Sequence, residues 1–361
     1  MTQTTTTLPQ ASTVLPQSTL LLMATACGLC AGANYFNQPL LNSMVQHLHI
    51  SDAQASSTVT MAQVSYGLGL LFLVPLGDML ERRTLVLTLM LLAACGMLLS
   101  GISGVAGSFA LLAAGTLMAG VFSVAAQVLV PMAATFAAPG TSGRAVGLVM
   151  SGLLVGILAS RSVAGILSEL GGWSTVYWAG AAATALMAVL LARALPKAAP
   201  TAPVSYGEVM KSLGALLRQH PRLRSRALIG GTGFATVSVL FSSMALLLAG
   251  PGFHLSDLMI GVIGIVGIAG ALMANVAGRM ADKGLEQHTT MAGAILMLLG
   301  WLCLWLGGSS IWWFLLGLLV VDGALQALHI SNQNVIYALA PEARSRINAV
   351  YMTTYFMGAS I

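Results

Sequence analysis

Charge is the scarcest property of this chain. Only 7% of its 361 residues are Asp, Glu, Lys or Arg, against about 25% in ordinary soluble domains. That shortage excludes a soluble globular protein. Cysteine is scarce as well. The four present, Cys27, Cys30, Cys95 and Cys303, all fall inside apolar stretches, so a disulfide framework is not expected. Cys27-x-x-Cys30 has no further Cys or His near it in sequence to complete a metal or redox site, and both read as small packing residues. No nucleophile–base pair and no metal-ligand cluster is visible, so neither a catalytic site nor a metal site is expected and an enzyme is the least favoured class. The net charge of +5 is spread over loops rather than gathered on one face, so nucleic acid is not an expected partner. Residues 1–17 are rich in Thr, Pro and Gln and carry no charge. They read as a disordered tail, and without a basic segment before the first apolar run no cleaved signal peptide is expected.

Apolar residues make up 57% of the chain, and they are arranged in long runs. Spans of roughly the 20 residues needed to cross a bilayer lie at about 18–41, 55–77, 84–105, 109–134, 145–169, 173–195, 227–249, 257–277, 289–307 and 311–336. An eleventh opens near Arg346 and the sequence stops at Ile361, after some four turns at 3.6 residues each. The chain is therefore an all-α polytopic membrane protein in the lipid bilayer. Lys and Arg set its expected orientation. With the N-terminus in the cytoplasm, fourteen of the fifteen Lys and Arg residues face inward. The outward loops then hold His47, His49, Asp52, Glu169, His254 and Asp257 and no Lys or Arg. The fifteenth basic residue, Arg161, is inside the fifth span.

Two landmarks repeat. Pro75-Leu-Gly-Asp78-Met-Leu-Glu81-Arg82-Arg83 is a tight charged turn between the second and third spans, and Gly278-Arg-Met-Ala-Asp282-Lys283-Gly284 is another between the eighth and ninth. Asp78 and Asp282 stand 204 residues apart. Ser142-Gly-Arg144 opens the fifth span, and Ser345-Arg346 opens the eleventh at an offset of 202 residues. Two landmarks that repeat at nearly the same offset argue for a duplicated membrane unit. The longest connection, 196–226, separates the halves 18–195 and 227–361. Pro196, Pro200 and Pro203 keep its first part extended. Ser205-x-x-Glu208 then has capping-box spacing. Val209, Leu213, Leu216 and Leu217 share one helical face, with Lys211 and Arg218 off it. These features predict either a short amphipathic helix on the inner membrane surface or a solvated linker.

The charged turns, Asp-x-x-x-Arg-Arg after the second span and Gly-x-x-x-Asp-Lys-Gly after the eighth, resemble the loop signature of the major facilitator superfamily. Asn34-Tyr-Phe-Asn-Gln38-Pro39, Gly172-Trp173, Ala249-Gly-Pro-Gly-Phe-His254 and His329-Ile-Ser-Asn332-Gln333 resemble a branch of bacterial efflux permeases with drug/proton-antiporter character. The resemblance covers nearly the whole chain. It implies two six-helix halves containing inverted repeats, with the eleventh helix incomplete and the twelfth absent. It also implies a monomer in the bacterial inner membrane that moves a small solute by alternating access, with a proton gradient and no cofactor. Efflux by proton exchange is the first expectation. Uptake or facilitated diffusion, or a truncated non-transporting membrane protein, are the others. Two departures stand against antiport: Gly156 is followed by Ile157 where the family's antiporter signature has Pro, and Thr116 stands where an Arg is expected.

The groups that could carry transport are few. Arg161 lies among apolar neighbours, where an unpaired charge costs several kcal/mol. It reads either as a snorkelling or ion-paired residue or as a cavity group that binds substrate or couples protons. Asp322, in the tenth span, is the only carboxylate deep in an apolar run. It reads as a proton site or as a hydrogen-bonded packing residue. Asp322, His329 and Gln333 are 7 and 4 residues apart and share one helical face. Asn34 and Gln38 share a face of the first span, as cavity lining or interhelical hydrogen-bond partners. The repeat further suggests a cytoplasmic gate of Asp78, Arg82, Arg83, Arg144, Asp282, Lys283 and Arg346. In it Asp78 meets the start of the eleventh helix, and Asp282 meets the start of the fifth, where helix N-termini carry partial positive charge.

Overall fold

A computed structural model of the chain describes residues 15–138, 142–197, 205–266, 284–339 and 344–360, with Met273 and Met280. The helices are α1 (Gln17–Ala33), α2 (Leu41–Leu48), α3 (Asp52–Phe72), α4 (Arg82–Ala106), α5 (Phe109–Phe122), α6 (Ala125–Thr135), α7 (Ser142–Gly171) and α8 (Trp173–Ala194). They continue as α9 (Tyr206–Gln219), α10 (Pro221–Ala249), α11 (Asp257–Ile263), α12 (Glu286–Leu306), α13 (Ile311–Tyr337) and α14 (Arg344–Gly358). No strand occurs among the described residues. Nine spans among them are long and apolar enough to cross a membrane, as they must be where lipid offers no hydrogen bonds to the backbone.

Local chemistry sets the helix limits. Ser51 opens α3 with a capping box: Gln54 N–H donates to Ser51 Oγ at 3.2 Å, and Ser51 N–H donates to Gln54 Oε1 at 3.0 Å. Glu81 opens α4 by accepting from the backbone N–H groups of Arg83 at 3.0 Å and Thr84 at 2.8 Å. Gly107, at φ +63°, gives the left-handed residue that lets α4 turn at once into α5.

The first span differs from the expected 18–41. Pro39 cannot donate to a helical ladder, so α1 stops at Ala33 and a 3-10 turn over Gln38–Leu40 leads into α2. The span therefore runs on to Leu48 and takes in His47, which the sequence places in a loop. Trp173 Nε1 donates to His47 Nδ1 at 2.9 Å.

Close packing joins α1 to α7 through glycines. A Cβ on Gly156 would fall 2.2 Å from Gly28 Cα, and one on Gly32 would fall 2.9 Å from Gly156 O. Gly28-x-x-x-Gly32 and Gly152-x-x-x-Gly156 thus face each other, the small-residue contact that membrane helices use to approach. Cys27 and Cys30 are buried and unpaired.

The amphipathic helix expected in the linker is α9, opened by the Ser205–Glu208 capping box. It buries Val209, Leu213 and Leu216. Leu217, grouped with them in the sequence, is exposed. The buried face lies on protein: α9 packs against α14, α10 and the Val74–Asp78 turn, and Tyr206 Oη donates to Phe72 O at 3.1 Å. It therefore touches both halves. The next helix, α10, begins at Pro221, inside the 196–226 stretch.

Candidate functional site

The two halves meet firmly at the end that carries no Lys or Arg. Asp257, the first residue of α11, is buried. Its Oδ2 accepts from Ser168 Oγ at 2.8 Å and from Ser43 Oγ, both in the first half. Ser162 Oγ donates to Gly261 O at 2.9 Å, and Ser56 Oγ donates to Ser242 O at 3.0 Å. Small residues make the approach possible, since a Cβ on Gly261 would sit 2.6 Å from Arg161 O. At the arginine-rich end the halves part. A cleft of about 300 Å³ lies there, lined by Gly77, Arg82, Gln127 and Pro131 on one side and by Arg346 and Asn348 on the other.

Between seal and cleft lies a group of polar and aromatic side chains drawn from both halves. Arg161, on α7, is 5% exposed. Its Nε donates to Gln38 Oε1 at 2.7 Å, so the break in the first span supplies the group that holds it. Arg161 Cζ stands 3.9 Å from the centroid of the Phe241 ring and 5.1 Å from that of Tyr35. Phe241 belongs to α10 in the second half, which makes this cation–π contact a bridge between the halves. Asp322, on α13, is partly buried and within electrostatic reach of Arg161, Tyr35 and Tyr355. Among the described residues it has no hydrogen-bond partner and does not meet Arg161 as an ion pair. Snorkelling is excluded for Arg161 by its burial and partners.

The polar face expected of Asp322, His329 and Gln333 is only partly brought together. His329 Nδ1 lies 3.2 Å from Tyr351 Oη, and its ring centroid is 4.8 Å from that of Tyr355. Gln333 makes no described hydrogen bond. Asn332 takes the place expected of it: Arg226 Nη1 donates to Asn332 Oδ1 at 3.3 Å and to Thr290 Oγ1 at 2.6 Å, and Asn332 Nδ2 donates to Tyr351 Oη at 3.5 Å. Arg226 read as a loop cation in the sequence, and nothing in its spacing marked it as part of an internal network. Asn34 is buried with its Oδ1 unpartnered.

Of the gate residues, Arg82 Nε donates to Gly77 O at 3.0 Å, Arg83 Nη2 donates to Ala192 O, and Arg346 is exposed at the cleft. The described bonds of Arg82 and Arg83 stay within the first half. Asp282 and Lys283, and the side chains of Asp78 and Arg144, lie outside the described residues.

The model of the Major Facilitator Superfamily matches residues 23–361. The chain belongs to this superfamily. A relative in Escherichia coli O157:H7, the uncharacterized transporter YgaY, is 47% identical over 96% of this chain and 87% of its own length. The chloramphenicol resistance protein of Streptomyces lividans is 29% identical over 48% of this chain and 44% of its own. Among solved structures, a bacterial homologue of the human lysosomal transporter Spinster, inward-facing and occupied, superposes with a TM-score of 0.74 at 15% identity, covering 94% of this chain and 79% of that one. This facilitator is accordingly a multi-pass membrane transporter in fold and family, a family whose members are generally not enzymes.

Proposed function

We propose that this facilitator exports a small amphipathic solute across the bacterial inner membrane in exchange for protons, as a monomer without a cofactor. The observation that carries the reading is the convergence of Arg161 and Asp322. They come from different halves, lie in one cluster between the sealed end and the cleft, and are the two charges that an apolar span should not hold without a use. Asp322 is the proton-exchanging group and Arg161, positioned by Gln38, faces the solute. The Lys and Arg asymmetry supports an arginine-rich end in the cytoplasm, with the cleft open inward. The relative whose name reports chloramphenicol resistance supports export over uptake.

The gate follows from the same reading. The Val74–Asp78 turn and the first turns of α14 line opposite walls of one cleft. When the halves rock, Asp78 meets the start of α14 and Asp282 meets the start of α7, closing the cytoplasmic side. Arg82 holds the first of these turns through Gly77 O, and Arg83, Lys283, Arg144 and Arg346 are the remaining basic residues of the proposed gate.

Proton-coupled transport in inside-out vesicles, screened over a compound panel, tests the function. Arg161→Ala and Asp322→Asn are each expected to abolish coupled transport with insertion intact. Transport by Asp322→Asn with unchanged pH dependence would remove Asp322 as the proton site, and transport that ignores the proton gradient would leave facilitated diffusion.

A further inference from the structure

Arg161 and Asp322 are a basic and an acidic group within electrostatic reach of one another, yet they do not pair. The guanidinium is fixed by Gln38 at Nε and by the Phe241 ring at Cζ. Arg has five N–H donors. Those on Nη1 and Nη2 have no acceptor among the described residues, although the side chain is 95% buried by its 5% exposure. The Asp322 carboxylate has no donor among the described residues either. Buried polar groups are ordinarily satisfied. A basic and an acidic group from opposite halves, within electrostatic reach of one another and each with polar atoms that no described residue meets, describe a ligand that carries both complements.

We propose that the transported solute is a small amphipathic zwitterion, of the apolar α-amino-acid type. Its carboxylate takes the free Nη edge of Arg161 as a two-point fork, and its ammonium takes Asp322. The apolar body lies among Tyr35, Phe241 and Tyr355. The assignment rests on the exchange reading above and deepens it. An ammonium at Asp322 requires the ionised carboxylate, so solute and proton compete for one group and binding releases the proton. A simple amine would lack an acceptor for Arg161 and would meet its positive charge. A simple acid would meet Asp322.

The test is binding to the purified full chain in lipid nanodiscs, by calorimetry with a pH indicator present. The probes are phenylalanine, leucine, phenethylamine and 3-phenylpropionate. Phenylalanine or leucine is expected to bind at least tenfold more tightly than the two single-charge analogues, with proton release at neutral pH. Arg161→Gln should lower phenylalanine affinity to that of phenethylamine, and Asp322→Asn should lower it to that of 3-phenylpropionate. Arg161→Lys keeps the charge without the fork and should fall between, which guards against a variant that merely misfolds. Equal binding of an analogue, losses that do not sort by charge, or no binding of either amino acid overturns the assignment. If zwitterions bind as expected but Asp322→Asn transports with unchanged pH dependence, the solute class stands and proton exchange at Asp322 fails. If another solute moves with Asp322-dependent exchange and no zwitterion binds, the reverse holds.

Discussion

Asp257 and Ser168, on opposite halves of the bundle, are joined at the Lys- and Arg-free end by a 2.8 Å hydrogen bond into a carboxylate. A second serine, Ser43, donates to the same oxygen. Hydrogen bonds to charged groups contribute about 1.5–3 kcal/mol, and 1.4 kcal/mol is a tenfold change in a population ratio. Asp257→Ala is therefore expected to shift the protein at least tenfold towards a state open at that end. Spin labels on Gln46→Cys and Gly252→Cys, with Cys95 and Cys303 replaced, report the distance between the halves. Gln46 is exposed, and nothing lies within 4 Å of a Cβ at Gly252. A distance distribution identical to the parent's would rule out Asp257 as a latch.

Gly156 is expected to tolerate no side chain. Its Cβ would overlap Gly28 backbone atoms at 2.2 Å, which a rotamer change cannot relieve. Overpacking typically costs about 1–3 kcal/mol. Gly156→Ala should lower the melting temperature in detergent, whereas Gly214→Ala, with no atom within 4 Å of the added carbon, should raise it, since Ala exceeds Gly in helices by about 1 kcal/mol. Similar melting of the two variants would refute the packing argument.

The spans were legible because their length and apolarity answer to a single requirement, burial of every backbone group in lipid. Their interruptions were less so. The Pro39 break and the extension to Leu48 depend on a proline whose effect is local. Arg161 and Asp322 stood out because charge is rare inside apolar runs. Asp257, Ser168 and Arg226 did not, because each sits near a span end, where charge and hydroxyls are ordinary. What gives them their roles is a partner about 90 or 100 residues away, and no local pattern records that.

The linker helix α9 should weaken in acid. Backbone and side-chain hydrogen bonds from Ser205 hold the Glu208 carboxyl below its ordinary value of 4.5. A lowered folded pKa means that the cap's contribution is complete at neutral pH and is lost as pH falls below the ordinary value through the lowered one. The protection of the Glu208 and Val209 amides, taken relative to the intrinsic exchange rate at each pH, is expected to fall in that window, and Glu208→Gln should flatten the dependence. Protection that is flat with pH in the parent would contradict the cap.

Orientation is open to a direct experiment. Gly207 and Gly252 lie at opposite ends of the bundle, and neither has an atom within 4 Å of an added Cβ. Cysteine at Gly207 should be labelled only from the cytoplasmic side and cysteine at Gly252 only from outside. Labelling of both from one side would sink the proposed topology.

The network around Arg226 should behave as a unit. Arg226 reaches Asn332, which reaches Tyr351, which lies against His329; the four residues tie α10, α13 and α14 together. Removing one member strands the next. Arg226→Met leaves Asn332 Oδ1 without its donor, and an unsatisfied buried polar group costs about 1–3 kcal/mol. Asn332→Leu removes the acceptor and spares that cost, but leaves Tyr351 with one partner fewer. The double variant should therefore be destabilised by less than the sum of the singles, with a coupling of about 0.5–3 kcal/mol, the range found for residues in one network. Reversible unfolding of the four proteins measures it. Strict additivity would mean that these bonds form without contributing jointly to the second half, and that its inner end is held by packing around Tyr351 instead.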